Sequence, residues 1–173
     1  MPMMQAAVMH GPGGPEVLNI ETIPVPVPKV GQVLIKVMAF GLNRSELFTR
    51  QGHSPGVQFP RAPGIEAVGI VEQAPGGQFA PGDTVATVMG SMGRQFDGAY
   101  AEFTCVPANQ VRKFSSDLPW EVLGPYPKCF RRPRVHYSVL STFSRVSDCS
   151  FVADRPRSAL LLLAWPAITA RMS

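Results

Sequence analysis

Gly41-Leu42-Asn43-Arg44-Ser45-Glu46, then Pro63-Gly64-Ile65-Glu66-Ala67-Val68-Gly69, Pro81-Gly82-Asp83-Thr84-Val85 and Gly98-Ala99-Tyr100-Ala101-Glu102-Phe103, run in this order through the first two thirds of the chain. Around them the pattern is one of short strands punctuated by Gly and Pro turns. Residues 67–71, 84–88, 100–106 and 110–113 read as strands of this kind, at a spacing that suggests a barrel or sandwich. Upstream, residues 4–10 read as a strand and 10–15 as a loop dense in Gly and Pro. Residues 18–21 alternate, which places Leu18 and Ile20 on an inward face and Asn19 and Glu21 outward. Pro24, Pro26 and Pro28 remove ladder donors and mark an extended edge segment, after which residues 32–39 resume a strand.

Residues 45–51 make the best short helix. Ser45 or Asn43 can cap it, Glu46 sits in its first turn where a negative charge suits the macrodipole, and Gly52 ends it. A second helix opens over residues 117–123, with Asp117 as N-cap and Pro119 in the first turn. The stretch from residue 124 to 133 has no helical period, and residues 135–150 show no clear face.

Charge divides the chain at the same place. The net charge of +4 combines eight Lys/Arg against ten Asp/Glu up to Leu123 with eight Lys/Arg against Asp148 and Asp154 beyond it. The basicity therefore belongs to the tail and gives no argument for a nucleic-acid partner of the first segment. Cys105, Cys129 and His10, His53, His136 lack any spacing that would pre-arrange a tetrahedral metal site, and the same holds for Cys149. The apolar run at residues 159–164 is broken by Pro166, far short of the roughly 20 residues of a membrane span. No secretory signal is read at the start, so a cytoplasmic protein without membrane or nucleic-acid partners is expected.

The four motifs together resemble the amino-terminal domain of the medium-chain dehydrogenase/reductase family, in its zinc-independent, quinone oxidoreductase-like branch. The resemblance covers roughly residues 4–123. It implies a mainly β fold with short helices, an α+β GroES-like partly open barrel, with the nucleotide-binding Rossmann domain missing from this chain. The expected organisation is residues 1–123 as the GroES-like domain and 124–173 as an atypical basic tail, disordered or frame-shifted. The genetic code gives the second option specific content. Codons permitted for residues 125–130, read two bases later, allow L-P-E-M-F, a continuation into the family's hinge. The same offset over residues 151–165 allows R-G-G-P-T-S-V-G-L-A-A-A-G-M, which resembles the family's glycine turn for the pyrophosphate. As translated, the chain has no such turn.

In the zinc-dependent relatives a Cys ligand sits two positions after the Gly of the first motif, and a His precedes Glu in the second. Asn43 and Ile65 stand there in this sequence, so no zinc is expected. The resemblance implies NADPH as cofactor and hydride transfer to a small-molecule substrate, a quinone or α,β-unsaturated carbonyl. Asn43 is the candidate catalytic residue, its amide donating to the nicotinamide carboxamide or the substrate oxygen. Asn43, Arg44 and Ser45 are the candidate cofactor contacts, and Glu66 is a candidate buried hydrogen-bonding residue. Tyr100 and Glu102 read as structural, and Phe48, Met92 and Phe96 as packing. The alternative is a truncated fragment that binds small molecules or a partner protein without turnover.

Overall fold

The structure is a computed structural model that describes residues 1–130 and 163–164. Eleven named elements follow one another: β1 (Met3–Met9), β2 (Leu18–Pro24), β3 (Gln32–Phe40), α1 (Arg44–Arg50), β4 (Glu66–Gln73), β5 (Thr84–Val88), β6 (Phe103–Pro107), β7 (Val111–Lys113), α2 (Trp120–Leu123), α3 (Tyr126–Phe130) and β8 (Leu163–Ala164). Strands dominate and the helices are short, as the density of Gly and Pro leads one to expect.

The main sheet has the order β6-β3-β4-β5-β7, every pairing antiparallel, with β8 pairing to the end of β3. It curls into a half-barrel, the shape that the resemblance implies. Register shifts in the β3–β4 ladder, between Leu34 and Ile35 and between Val37 and Ala39, supply local bends. β1 and β2 form a separate ribbon. It is tied to the barrel where the Ala7 N–H donates to the Tyr100 carbonyl at 2.7 Å and the Glu102 N–H donates to the Gln5 carbonyl at 3.0 Å.

The core lies inside the curl. Val33, Ile35, Val37, Val71, Val85, Val106 and Val111 close it with Phe40 and Met92. β5 and β6 alternate buried and half-buried residues along their length, the period-2 signature of strands covered on one side. β4, paired on both edges, is buried almost throughout its first six residues. Here Gly69 permits the closest approach: a methyl on it would overlap the Lys36 carbonyl oxygen. Gly69→Ala should therefore cost about 1–3 kcal/mol through overpacking, seen as a lower urea midpoint with an unchanged m-value.

Several local expectations need correction. On β2 it is Ile23 that turns inward, while Ile20 is 37% exposed and Glu21 is half-buried at the surface. Ile23 packs on Met4, Ala6 and Val8, and this contact with the neighbouring strand fixes the face that a four-residue alternation could not. β6 starts at Phe103; Tyr100 and Ala101 precede it and pair with β1 instead. Gln110 belongs to a 3₁₀ turn, so β7 starts at Val111. α2 is capped by the extended backbone of Pro119 and not by Asp117; a Ser116 hydroxyl accepts the Leu118 N–H at 3.2 Å just before it. A third helix, α3, occupies the stretch where no helical period is legible. Apart from β8, the remainder of the tail, with Cys149 and His136, lies outside the described residues.

Candidate functional site

The site is built where the chain leaves β3. Gly41 and Leu42 lead to Asn43, whose extended backbone (φ −120°, ψ 142°) makes it the N-cap of α1. Three residues on, Glu46 turns back so that its Oε2 accepts the Asn43 N–H at 2.7 Å. This is the reaching-back half of a capping box, which the Asn43-x-x-Glu46 spacing encodes. At the other end Gly52 has φ +85°, the left-handed conformation that closes a helix C-terminus.

Glu46 is not an ordinary capping residue, because it is 5% exposed. Its Oε1 also accepts the Ile65 N–H at 2.8 Å, and its Oε2 accepts the Tyr100 hydroxyl at 2.8 Å. One carboxylate thus holds α1, the start of β4 and the segment before β6. Burial pushes its carboxyl up, opposed by the Asn43 and Ile65 N–H donors and the Tyr100 hydroxyl. Tyr100 stacks on Phe40 with ring centroids 4.8 Å apart at 28°. Burial and the neighbouring Glu46 charge raise the Tyr100 hydroxyl and keep it protonated, a permanent donor.

Glu66 is a second buried carboxylate, at 1% exposure. Its Oε1 accepts Asn43 Nδ2 at 2.7 Å and its Oε2 accepts the Lys128 backbone N–H, also at 2.7 Å. Burial pushes its carboxyl up to about 7; the two donors and the Lys128 charge oppose this, and the Glu46 charge adds to it.

A cavity of about 190 Å³ opens at this corner. Met9, Leu18, Leu42, Leu47 and Pro63 form its apolar walls, and Asn43, Glu46, Arg50 and Tyr100 supply the polar groups. The volume is below the roughly 300–1,000 Å³ of complete small-molecule pockets and suits one ring of a planar ligand. Arg50 is fixed by donating Nη1 to the Gly13 carbonyl at 2.7 Å.

The sequence candidates are distributed as follows. Asn43 lines the cavity, but its Nδ2 donates inside the fold, to Glu66 at 2.7 Å and to the Gly41 carbonyl at 3.1 Å. Arg44 and Ser45 are not among the residues lining it. Arg44 is exposed with its guanidinium 5.4 Å from the Phe48 ring centroid, and the buried Ser45 hydroxyl oxygen has no partner among the described residues. Phe48 is 41% exposed beside His53, and Met92 is fully buried in the core. His10 pairs with Glu21 at 2.7 Å on the surface. The Tyr100–Glu46 pair was not legible as a site feature, since it joins residues 54 apart in sequence.

Neither Asn43 nor Ile65 offers a metal donor set. One is an amide with its hydrogens engaged, the other an aliphatic chain whose N–H is held by Glu46. Among the described residues, no group of three or more His, Cys, Asp or Glu stands together, and no helix is long and apolar enough to cross a membrane. Among the same residues every strand pairing is antiparallel, so no parallel strand–helix–strand nucleotide unit is present.

Comparison with known proteins converges on one family. A family model described as the alcohol dehydrogenase GroES-like domain matches residues 29–116. A human quinone oxidoreductase is 35% identical over 123 residues, which cover 69% of this chain and 36% of that protein. The human synaptic vesicle membrane protein VAT-1 homolog-like is 34% identical over 131 residues, 73% of this chain and 30% of its own. The crystal structure of the human VAT-1 homolog-like protein aligns at a TM-score of 0.66 and 32% identity, over 75% of this chain and 41% of that one. The quinone oxidoreductase from Coxiella burnetii aligns at 0.63 and 25% identity, over 69% and 39%. The chain thus spans about a third of the length of the two human relatives.

Proposed function

The chain belongs to the alcohol dehydrogenase GroES-like domain family, of the medium-chain dehydrogenases/reductases, and from that premise we propose that it carries the substrate-side half of an NADPH-dependent quinone or enoyl reductase. The observation that carries the reading is the ring-sized, apolar-walled cavity with Asn43 at its polar corner. Bound NADPH supplies the hydride, and the acceptor is a quinone or another conjugated carbonyl. Asn43 and Ile65 provide no metal ligands, so positioning and polar contacts to the charge developing on the substrate oxygen lower the barrier.

Asn43 supplies such a contact by exchanging its weaker bond, the 3.1 Å one to the Gly41 carbonyl, for a bond to the ligand. The 2.7 Å bond to Glu66 holds the amide in place meanwhile. Arg44 and Ser45, the next two residues, are the cofactor-side contacts of this reading. The rest of the cofactor site belongs to a nucleotide-binding half. On its own, the chain acts as a binding module without turnover, a reading favoured by the absence of a parallel nucleotide unit among the described residues.

The test uses the offset reading frame. Sequencing the gene and transcript across the codons for residues 123–127 should reveal a one-base deletion. Reinserting the base should give a protein that oxidises NADPH in the presence of a quinone. In that protein Asn43→Ala should lower kcat/KM by roughly 10- to 100-fold. A frame-restored, folded protein that transfers hydride to no quinone or enone would sink the proposal.

A further inference from the structure

Glu66 divides its two oxygens between two parts of the fold. Oε1 holds the Asn43 amide in the cleft, and Oε2 holds the backbone N–H of Lys128, the third residue of α3. That N–H lies in the first turn of its helix, where no intrahelical acceptor exists, so the carboxylate is its partner. At 1% exposure Glu66 has no solvent to replace either donor. The neighbouring contacts are equally close. A Cβ on Gly124 would sit 3.1 Å from the Phe40 carbonyl oxygen, and Tyr126 is 7% exposed.

We propose that Glu66 is a positioning residue that ties the seating of α3 to the orientation of the Asn43 amide. A carboxylate is a rigid planar group, so a shift of Lys128 against Oε2 turns Oε1 as well, and Nδ2 of Asn43 must follow or lose its shorter bond. The segment that leaves the barrel after residue 124 is thereby coupled to the polar corner of the cavity. The consequence for hydride transfer rests on the role given to Asn43 above, while the coupling itself does not.

The charged and titratable groups facing Glu66 are Glu46 from α1, Tyr100 from the segment before β6 and Lys128 from α3. Glu46 and burial favour the neutral acid. The Asn43 and Lys128 donors favour the carboxylate, and the balance lies close to neutral pH. The ionisation of Glu66 is therefore readable from the Asn43 side-chain amide.

The experiment is an NMR pH titration of that amide in the full chain. In the wild type its resonance should move with a midpoint of about 7. Lys128→Pro removes the N–H at a first-turn position where proline is tolerated. It should displace the Asn43 amide resonance and raise the midpoint, because a donor to the carboxylate is lost. Lys128→Ala keeps the N–H and should leave the limiting shifts at the two ends of the titration near their wild-type positions, with a midpoint raised only by the loss of the Lys128 charge. An Asn43 amide with the same shift and midpoint in the proline variant would overturn the coupling. Failed NADPH oxidation by the frame-restored protein would sink the catalytic reading and leave this result untouched.

Discussion

Glu46→Ala should lower the unfolding free energy by about 3–5 kcal/mol. The side chain is 5% exposed and accepts three strong bonds, from the Asn43 N–H, the Ile65 N–H and the Tyr100 hydroxyl. Truncation leaves all three donors buried and unpaired, each costing about 1–3 kcal/mol, partly relieved by water entering the adjoining cavity. Tyr100→Phe removes one donor and no acceptor, so it should cost only about 1 kcal/mol. Urea denaturation of the two variants separates these cases. A Glu46→Ala loss no larger than that of Tyr100→Phe would mean that the carboxylate does not hold α1, β4 and the Tyr100 segment together. Because Asn43 is the cap of the same helix, the alanine variant should also loosen the polar corner of the cavity.

What was legible in the sequence follows the range of the forces involved. α1 and its termination at Gly52 are local matters of capping and a left-handed glycine, and the strand Thr84–Val88 falls where the flanking Gly and Pro turns place it. The family motifs located Asn43 and Glu66 within one region, and the structure joins them at 2.7 Å. The inward face of β2 was not legible, because Ile23 is chosen by Met4, Ala6 and Val8 on another strand. α3 was missed for a related reason. Its five residues carry too little propensity to announce a helix, and the Lys128 N–H is satisfied by a carboxylate 62 residues earlier. Glu46 looked like a first-turn acid suited to the macrodipole of a short helix. Only the approach of Ile65 and Tyr100 makes it a buried junction.

The chain should lose stability as pH rises from about 5 to about 7.5, and Glu66 is the main reason. Its carboxyl, ordinarily at 4.5, is pushed up to about 7 by burial. Between those values the native state holds a proton that the unfolded state has released. The unfolding free energy therefore falls through this window and levels off above it. A displacement of this size corresponds to about 3 kcal/mol. Burial shifts Glu46 in the same direction, so the two carboxylates reinforce each other. Asp83 goes the other way, lowered by its bond to Lys113, and its contribution is lost only as pH falls through the acid range below this window. Glu66→Gln isolates the effect. The amide cannot ionise, and it can accept from only one of the two donors, so the variant should be less stable than the wild type at pH 5. The gap should then narrow by about 3 kcal/mol by pH 8, as the wild type takes on its buried charge and the variant does not. Denaturation midpoints measured across this range decide the matter: parallel curves for the two proteins would mean that Glu66 is ionised throughout, and that its two donors outweigh its burial.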